Sequence, residues 1–211
     1  MALSNSEARS AIFLRLKGST EDKPAFKRIA KMGDSYEEID SFDTIEGTLA
    51  GIEFREYEYE GEKKTKAVLN MHDGDEQYKV DIHTGSSMGI SILNSLLSAD
   101  SLAGKLRISV YKKDKYNNAY VELNGQKLPW KLDLDEQAKF IDKVKFKGKD
   151  ISDKTRLEEH IVSLVKSEIP QKIDTIPSQH VPSGVERPSK KGELLARNEK
   201  FDDGGEDDLP F

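Results

Sequence analysis

The chain has no cysteine, one tryptophan and four methionines in 211 residues. Without thiols it forms no disulfide and holds no thiolate-bound metal, so nothing requires an oxidising compartment and a cytoplasmic location is expected. Long apolar runs are missing, so no transmembrane segment is expected. The opening MALSNSEARSAIFLRLKG places Glu7 and Arg9 where a secretory signal would be apolar, so no export signal is expected either. There is no Walker loop, no Cys/His zinc spacing and no evident pair of catalytic carboxylates. Proline is scarce except in one place: Pro170, Pro177, Pro182 and Pro188 are four of the seven.

What is present is charge, and its distribution matters more than its sum. Charged residues make up 34% and hydrophobic residues 36%, a balance that leaves part of the chain unpacked. The net charge is −6, but Asp202, Asp203, Glu206, Asp207 and Asp208 fall in the last ten residues, where there is no base. The rest of the chain carries 33 basic and 34 acidic side chains and is nearly neutral, so the acidic total does not argue against a polyanionic ligand. The proline-containing stretch lacks an apolar period. The spacing therefore divides the chain into a body at 1–168, a flexible linker at 169–201 and an acidic tip at 202–211.

The body reads mainly as strands. IEGTLAGIEFREYEY (45–59) is one long strand whose apolar parity changes around Gly51 and again after Phe54, which predicts a bulge and a strong bend. Lys66 to Met71 is a second strand. Tyr78, Val80 and Ile82 alternate with polar residues in a third, after a turn at Asp73-Gly74. SSMGISILNSLLSAD (86–100) switches to helical spacing, with Ser86 or Ser87 as its cap. Leu106–Val110 and Ala119–Leu123 then alternate again. A second helix spans 153–168, with Ser152 as N-cap and Pro170 as its stop. AIFLRL (11–16) fits an extra strand, while 1–34 and 131–150 otherwise carry no clear period. Three strands, a helix and two strands form the order of the OB-fold, so the expectation is a mainly β protein built on a five-stranded barrel, with a helix between strands three and four and an additional C-terminal helix.

Aromatic and basic residues interleave on these strands. Arg55, Tyr57, Tyr59, Lys64 and Lys66 lie on the first two and Lys79 on the third. Arg107, Tyr111, Lys112, Lys113, Tyr116 and Tyr120 lie on or between the last two. Single-stranded nucleic acid needs this pairing: rings stack exposed bases at about 1–3 kcal/mol per base, and cations neutralise phosphates. Ordinary cross-strand tyrosine packing with solvated lysines gives the same pattern. GSSMG (85–89) matches G-x-S-x-G between a strand and a helix, which would make Ser87 a hydrolase nucleophile with His160 or His180 downstream. That elbow needs a wide parallel sheet with crossover helices, which these short strands do not offer, so a capped strand-to-helix connection is the expected reading. His72, Asp73, Asp75, Glu76 and His83 cluster in sequence, but Asp-Gly-Asp is ordinary turn chemistry and no metal or other cofactor is expected.

The last residues are Asp207, Asp208, Leu209, Pro210 and Phe211. An aliphatic residue and a terminal phenylalanine behind an acidic block fit a partner pocket that is apolar, flanked by bases and able to take a carboxylate. This ending resembles the C-terminal tip of bacterial single-stranded DNA-binding proteins, and the body looks more like their divergent bacteriophage counterparts. The resemblance implies a non-enzymatic protein that coats single-stranded DNA in replication, recombination and repair. It implies recruitment of partner proteins through 207–211 and, for a phage protein, the host cytoplasm. An RNA-binding OB protein is the alternative of the same class.

Overall fold

The structure is a computed structural model that describes residues 11–17, 24–32, 35–59, 61–113, 116–146 and 149–173. The chain divides into units at Met1–Thr175 and Ile176–Phe211, and every described residue belongs to the first. The tip residues Asp207, Asp208, Leu209, Pro210 and Phe211 and nearly all of the expected linker therefore lie outside the described residues.

Strand β1 (Ile12–Leu16) is followed by β2 (Phe26–Met32), β3 (Ser35–Phe42), β4 (Thr44–Tyr59), β5 (Glu62–Asp73) and β6 (Glu76–His83). Helix α1 (Ser87–Ser98) leads to β7 (Leu106–Lys113), β8 (Tyr116–Leu123) and the short β9 (Gln126–Lys127). Helix α2 (Leu134–Ala138), the hairpin of β10 (Asp142–Phe146) and β11 (Lys149–Asp153), and helix α3 (Thr155–Lys172) complete the order. The protein is thus mainly β, and β4-β5-β6-α1-β7-β8 reproduces the expected run of three strands, a helix and two strands. Among the described residues no helix is long and apolar enough to cross a membrane.

The five-stranded barrel is not what forms. Those strands are neighbours in one nine-stranded sheet of order β3-β2-β1-β6-β5-β4-β7-β8-β9. The reason is the N-terminal segment. Strand β1 pairs in parallel with β6, from Ile12 opposite Tyr78 to Arg15 opposite Asp81, and so takes the edge that barrel closure would have used. Strands β2 and β3 extend the sheet outward from there. The bent first strand of the expectation does exist. Thr44–Gly47 of β4 pair with β7, whereas Thr48–Tyr59 pair with β5, so one strand serves both halves of the sheet. The register slips once, between Leu49 and Gly51, leaving Ala50 as a bulge. No second slip follows Phe54, because pairing is continuous from Gly51 to Tyr59.

Helix α1 fills the core. Its residues from Gly89 to Leu97 are all buried, with Ile92, Leu93, Leu96 and Leu97 fully so. Ser86 caps it by accepting from the Gly89 N–H at 3.0 Å. Helix α3 buries Leu157, Ile161, Val165 and Ile169 against the same core. It does not stop at Pro170 as expected, nor is it capped by Ser152. The Asp153 carboxylate accepts from the first-turn N–H of Thr155 at 2.9 Å instead. The helix continues to Lys172 because its end is tied down. Lys172 donates through Nζ to the Leu97 carbonyl, and its own carbonyl accepts from the Leu102 N–H, both at 2.7 Å. A proline so near the C-terminus removes a single intrahelical donor.

Candidate functional site

Alternation sorts the side chains of the sheet into two faces. Ala67, Leu69 and Met71 of β5 and Val80 and Ile82 of β6 belong to the core, and the partly buried Ile52 and Phe54 of β4 pack against it. Residues between them therefore turn to the opposite face: Arg55, Tyr57 and Tyr59, then Lys64 and Lys66, then Lys79, Asp81 and His83. On β1 the buried Leu14 and Leu16 leave Phe13 and Arg15 on that same face, both exposed. Because no slip follows Gly51, Tyr57 and Tyr59 keep the same facing as Arg55 by simple alternation.

Register then sets the neighbours. Arg55 lies opposite Lys66, which lies opposite His83; Tyr57 lies opposite Lys64. The Tyr57 hydroxyl is 2.6 Å from His83 Nδ1, and the two rings meet edge-on with centroids 5.6 Å apart. Lys64 Nζ sits 5.0 Å from the centre of the Tyr59 ring, a cation–π contact at an exposed ring. Burial holds the His83 imidazole below its ordinary pKa, and the charges of Arg15, Lys66 and Lys64 push the same way. The Asp81 carboxylate acts in the opposite sense.

Part of that charge is already paired. Arg55 donates to Glu53 at 2.8 Å, Lys64 lies 3.5 Å from Glu62, and Lys66 pairs with Asp81. Glu53 is held below its usual range by the hydrogen bonds from Arg55 and Asn70. Arg55 and Lys64 are half-exposed, so their ion pairs are weak and exchange readily for a denser anion.

Arg107, Tyr111 and Tyr120 stand apart from that group, on β7 and β8. Arg107 bridges Glu46 at 3.3 Å and Glu122 at 3.6 Å. The Tyr111 and Tyr120 rings lie 5.8 Å apart at a 58° tilt. Glu46, opposite Arg107, and Tyr57 belong to the same strand, separated by roughly 35 Å of extended chain before bending. The sequence pattern implied one patch; the structure holds two, on one face of one sheet. Lys112 has the parity of the core residues Ile108 and Val110 and emerges exposed at the strand end, so it does not share the facing of Tyr111. Lys113 and Tyr116 pair across the β7–β8 ladder, with their side chains outside the described residues.

Three residues escaped the sequence reading. Phe13 and Arg15 were legible as alternate positions of AIFLRL, but only the parallel pairing to β6 brings them beside Lys79 and Asp81. Trp130 lies in a segment without periodicity, and nothing local signalled that it stands beside Tyr120. Ser87 opens α1 and its Oγ accepts from Lys154 Nζ at 3.2 Å; His160 stacks on Phe140 with centroids 4.1 Å apart, and His180 lies outside the described residues. Of the acidic and histidine cluster, His72 and His83 occupy opposite ends of the β5–β6 ladder. No group of three or more His, Asp or Glu is placed to hold a metal among the described residues.

No protein-family model, curated protein or solved structure matches the chain.

Proposed function

We propose that this chain is a single-stranded DNA-binding protein that coats exposed strands during replication, recombination and repair, encoded by a phage and acting in the host cytoplasm. One observation carries the reading. Tyr57, Tyr59 and Phe13 share a sheet face with Arg15, Arg55, Lys64, Lys66 and Lys79, against the carboxylates of Glu53, Glu62 and Asp81. The exposed Phe13 and Tyr59 rings and the half-buried Tyr57 ring offer sequence-tolerant stacking surfaces, and the surplus of cations accepts phosphates. The strand-helix-strand order of β4 to β8 and the Asp207–Phe211 ending support the same reading by their resemblance to single-stranded DNA-binding proteins. On this reading the tip recruits partner proteins while the sheet holds the strand.

The test is a gel-shift comparison using the full chain with single-stranded DNA, duplex DNA and single-stranded RNA. Preference for single-stranded DNA is the expected result. Equal or tighter binding of RNA moves the protein to the RNA-binding class, and binding of none of the three removes the reading.

A further inference from the structure

Strand β9 ends after two residues. Asn124 and Gly125 take positive φ of 52° and 80°, the requirement of a tight hairpin turn, and Gln126–Lys127 pair back onto β8. Leu128 still donates to the Val121 carbonyl at 2.9 Å, but Pro129 has no N–H to continue the ladder. The chain leaves β8 and crosses to α1, where Asn94 fastens it. The Asn94 side chain donates to the Leu132 carbonyl at 2.8 Å and accepts from the Leu132 N–H at 2.9 Å. Its backbone carbonyl accepts from the Lys131 N–H at 3.1 Å. Trp130 is anchored as well: its indole N–H donates to Ser91 Oγ at 3.1 Å, and Ser91 donates to the Ala119 carbonyl at 3.0 Å. A ring so held would ordinarily be buried, yet Trp130 is 44% exposed.

Between this crossing segment and β8 lies a cavity of about 320 Å³, lined by Tyr111, Tyr120, Trp130 and Lys127 together with Ser91 and Asn118, among others. That volume is at the small end for a ligand pocket. Lys127 Nζ lies 5.8 Å from the centre of the Tyr120 ring, and none of the lining residues is acidic. Aromatic cages for cationic ligands lack such a lysine, which would repel the guest. Three rings and one cation suit a flat uncharged ring joined to an anion.

We propose that this cavity receives one nucleobase of a bound strand, stacked on Trp130 and the tyrosines, with Lys127 against the neighbouring phosphate; this rests on the single-strand reading above. The site makes the β7–β8 end of the sheet a second anchoring point, apart from the Tyr57–His83 region. Its rigid hydrogen-bonded frame means that no ordering of the segment is needed when the base enters.

Trp130 is the chain's sole tryptophan, so its fluorescence reports this cavity alone. Emission of the full-length protein is titrated with oligothymidylate while the anisotropy of a labelled oligothymidylate follows binding independently. Emission should be quenched in step with the anisotropy, and thymidine monophosphate should quench only at much higher concentration. Trp130→Ala and Tyr111→Ala, the latter outside the Trp130–Ser91 hydrogen bonds, should each weaken oligothymidylate binding roughly 5- to 150-fold with the fold retained by circular dichroism. Normal anisotropy with unchanged emission, or a Tyr111→Ala variant that binds like the parent, overturns the cavity and leaves the single-strand reading standing. No anisotropy change with DNA, but quenching by a neutral oligosaccharide, overturns both.

Discussion

Replacing Arg15, Lys64, Lys66 and Lys79 together by alanine removes the cations on the β1, β5 and β6 part of the sheet face. The choice follows from their fields: Arg15, Lys64 and Lys66 act on His83, and Lys79 acts on Glu53. Each phosphate neutralised on a single strand contributes about −0.7 to the slope of log affinity against log salt. Four contacts therefore contribute about −2.8, which means roughly a 50-fold loss of affinity between 50 and 200 mM salt. The variant should show a slope shallower by about that amount, and single substitutions by about 0.7 each. Fluorescence anisotropy with labelled oligothymidylate across a salt series measures it. Asp81 loses its partner when Lys66 goes, so Asp81→Asn in the same background keeps the local charge balanced. A quadruple variant with the parental slope would refute the reasoning, because the phosphates would then lie elsewhere.

A methyl group at Gly89 would meet the His83 backbone carbonyl at 2.1 Å, so Gly89→Ala should destabilise the protein by about 3 kcal/mol in denaturant titration, a structural reason for this glycine of GSSMG. If Ser87 were a nucleophile it would label with a fluorophosphonate; the expected result is no labelling, and labelling lost in Ser87→Ala would reinstate the hydrolase. The His83 pKa is lowered below its ordinary 6.5, so the folded state binds the proton less readily than the unfolded chain. Stability should be full above about pH 6.5 and fall as the pH drops through the folded value, and His83→Gln should flatten that decline in thermal melts. On the proposed reading, in which the five tip carboxylates would compete with DNA for the cations, deleting residues 202–211 should raise affinity for single-stranded DNA at low salt, with the gain shrinking as salt rises. Deleting Phe211 alone should leave DNA affinity unchanged and abolish partner capture from host lysate; tighter DNA binding by that variant would contradict the division of labour.

Local pattern determined much of this protein. Period-two alternation in Tyr78–Ile82, Leu106–Val110 and Ala119–Leu123 marked three strands, since a half-buried strand must alternate. Helical spacing behind a serine cap, Ser86 or Ser87, located α1, and the parity change at Gly51 located the bulge. These signals are written in neighbouring residues and survive without tertiary context. Closure of the sheet is not written that way. It depended on where AIFLRL would pair, and a parallel partner sixty-six residues away leaves no mark on either strand. The same holds for the candidate site. Tyr57 and Tyr59 were visible as residue types, but their facing awaited the register of β4 on β5. Trp130 came beside Tyr111 and Tyr120 only because Pro129 ended a strand and Asn94 caught the chain beyond it. Sequence period decides which side of its own strand a residue takes; only long-range pairing decides which other residues it will meet there.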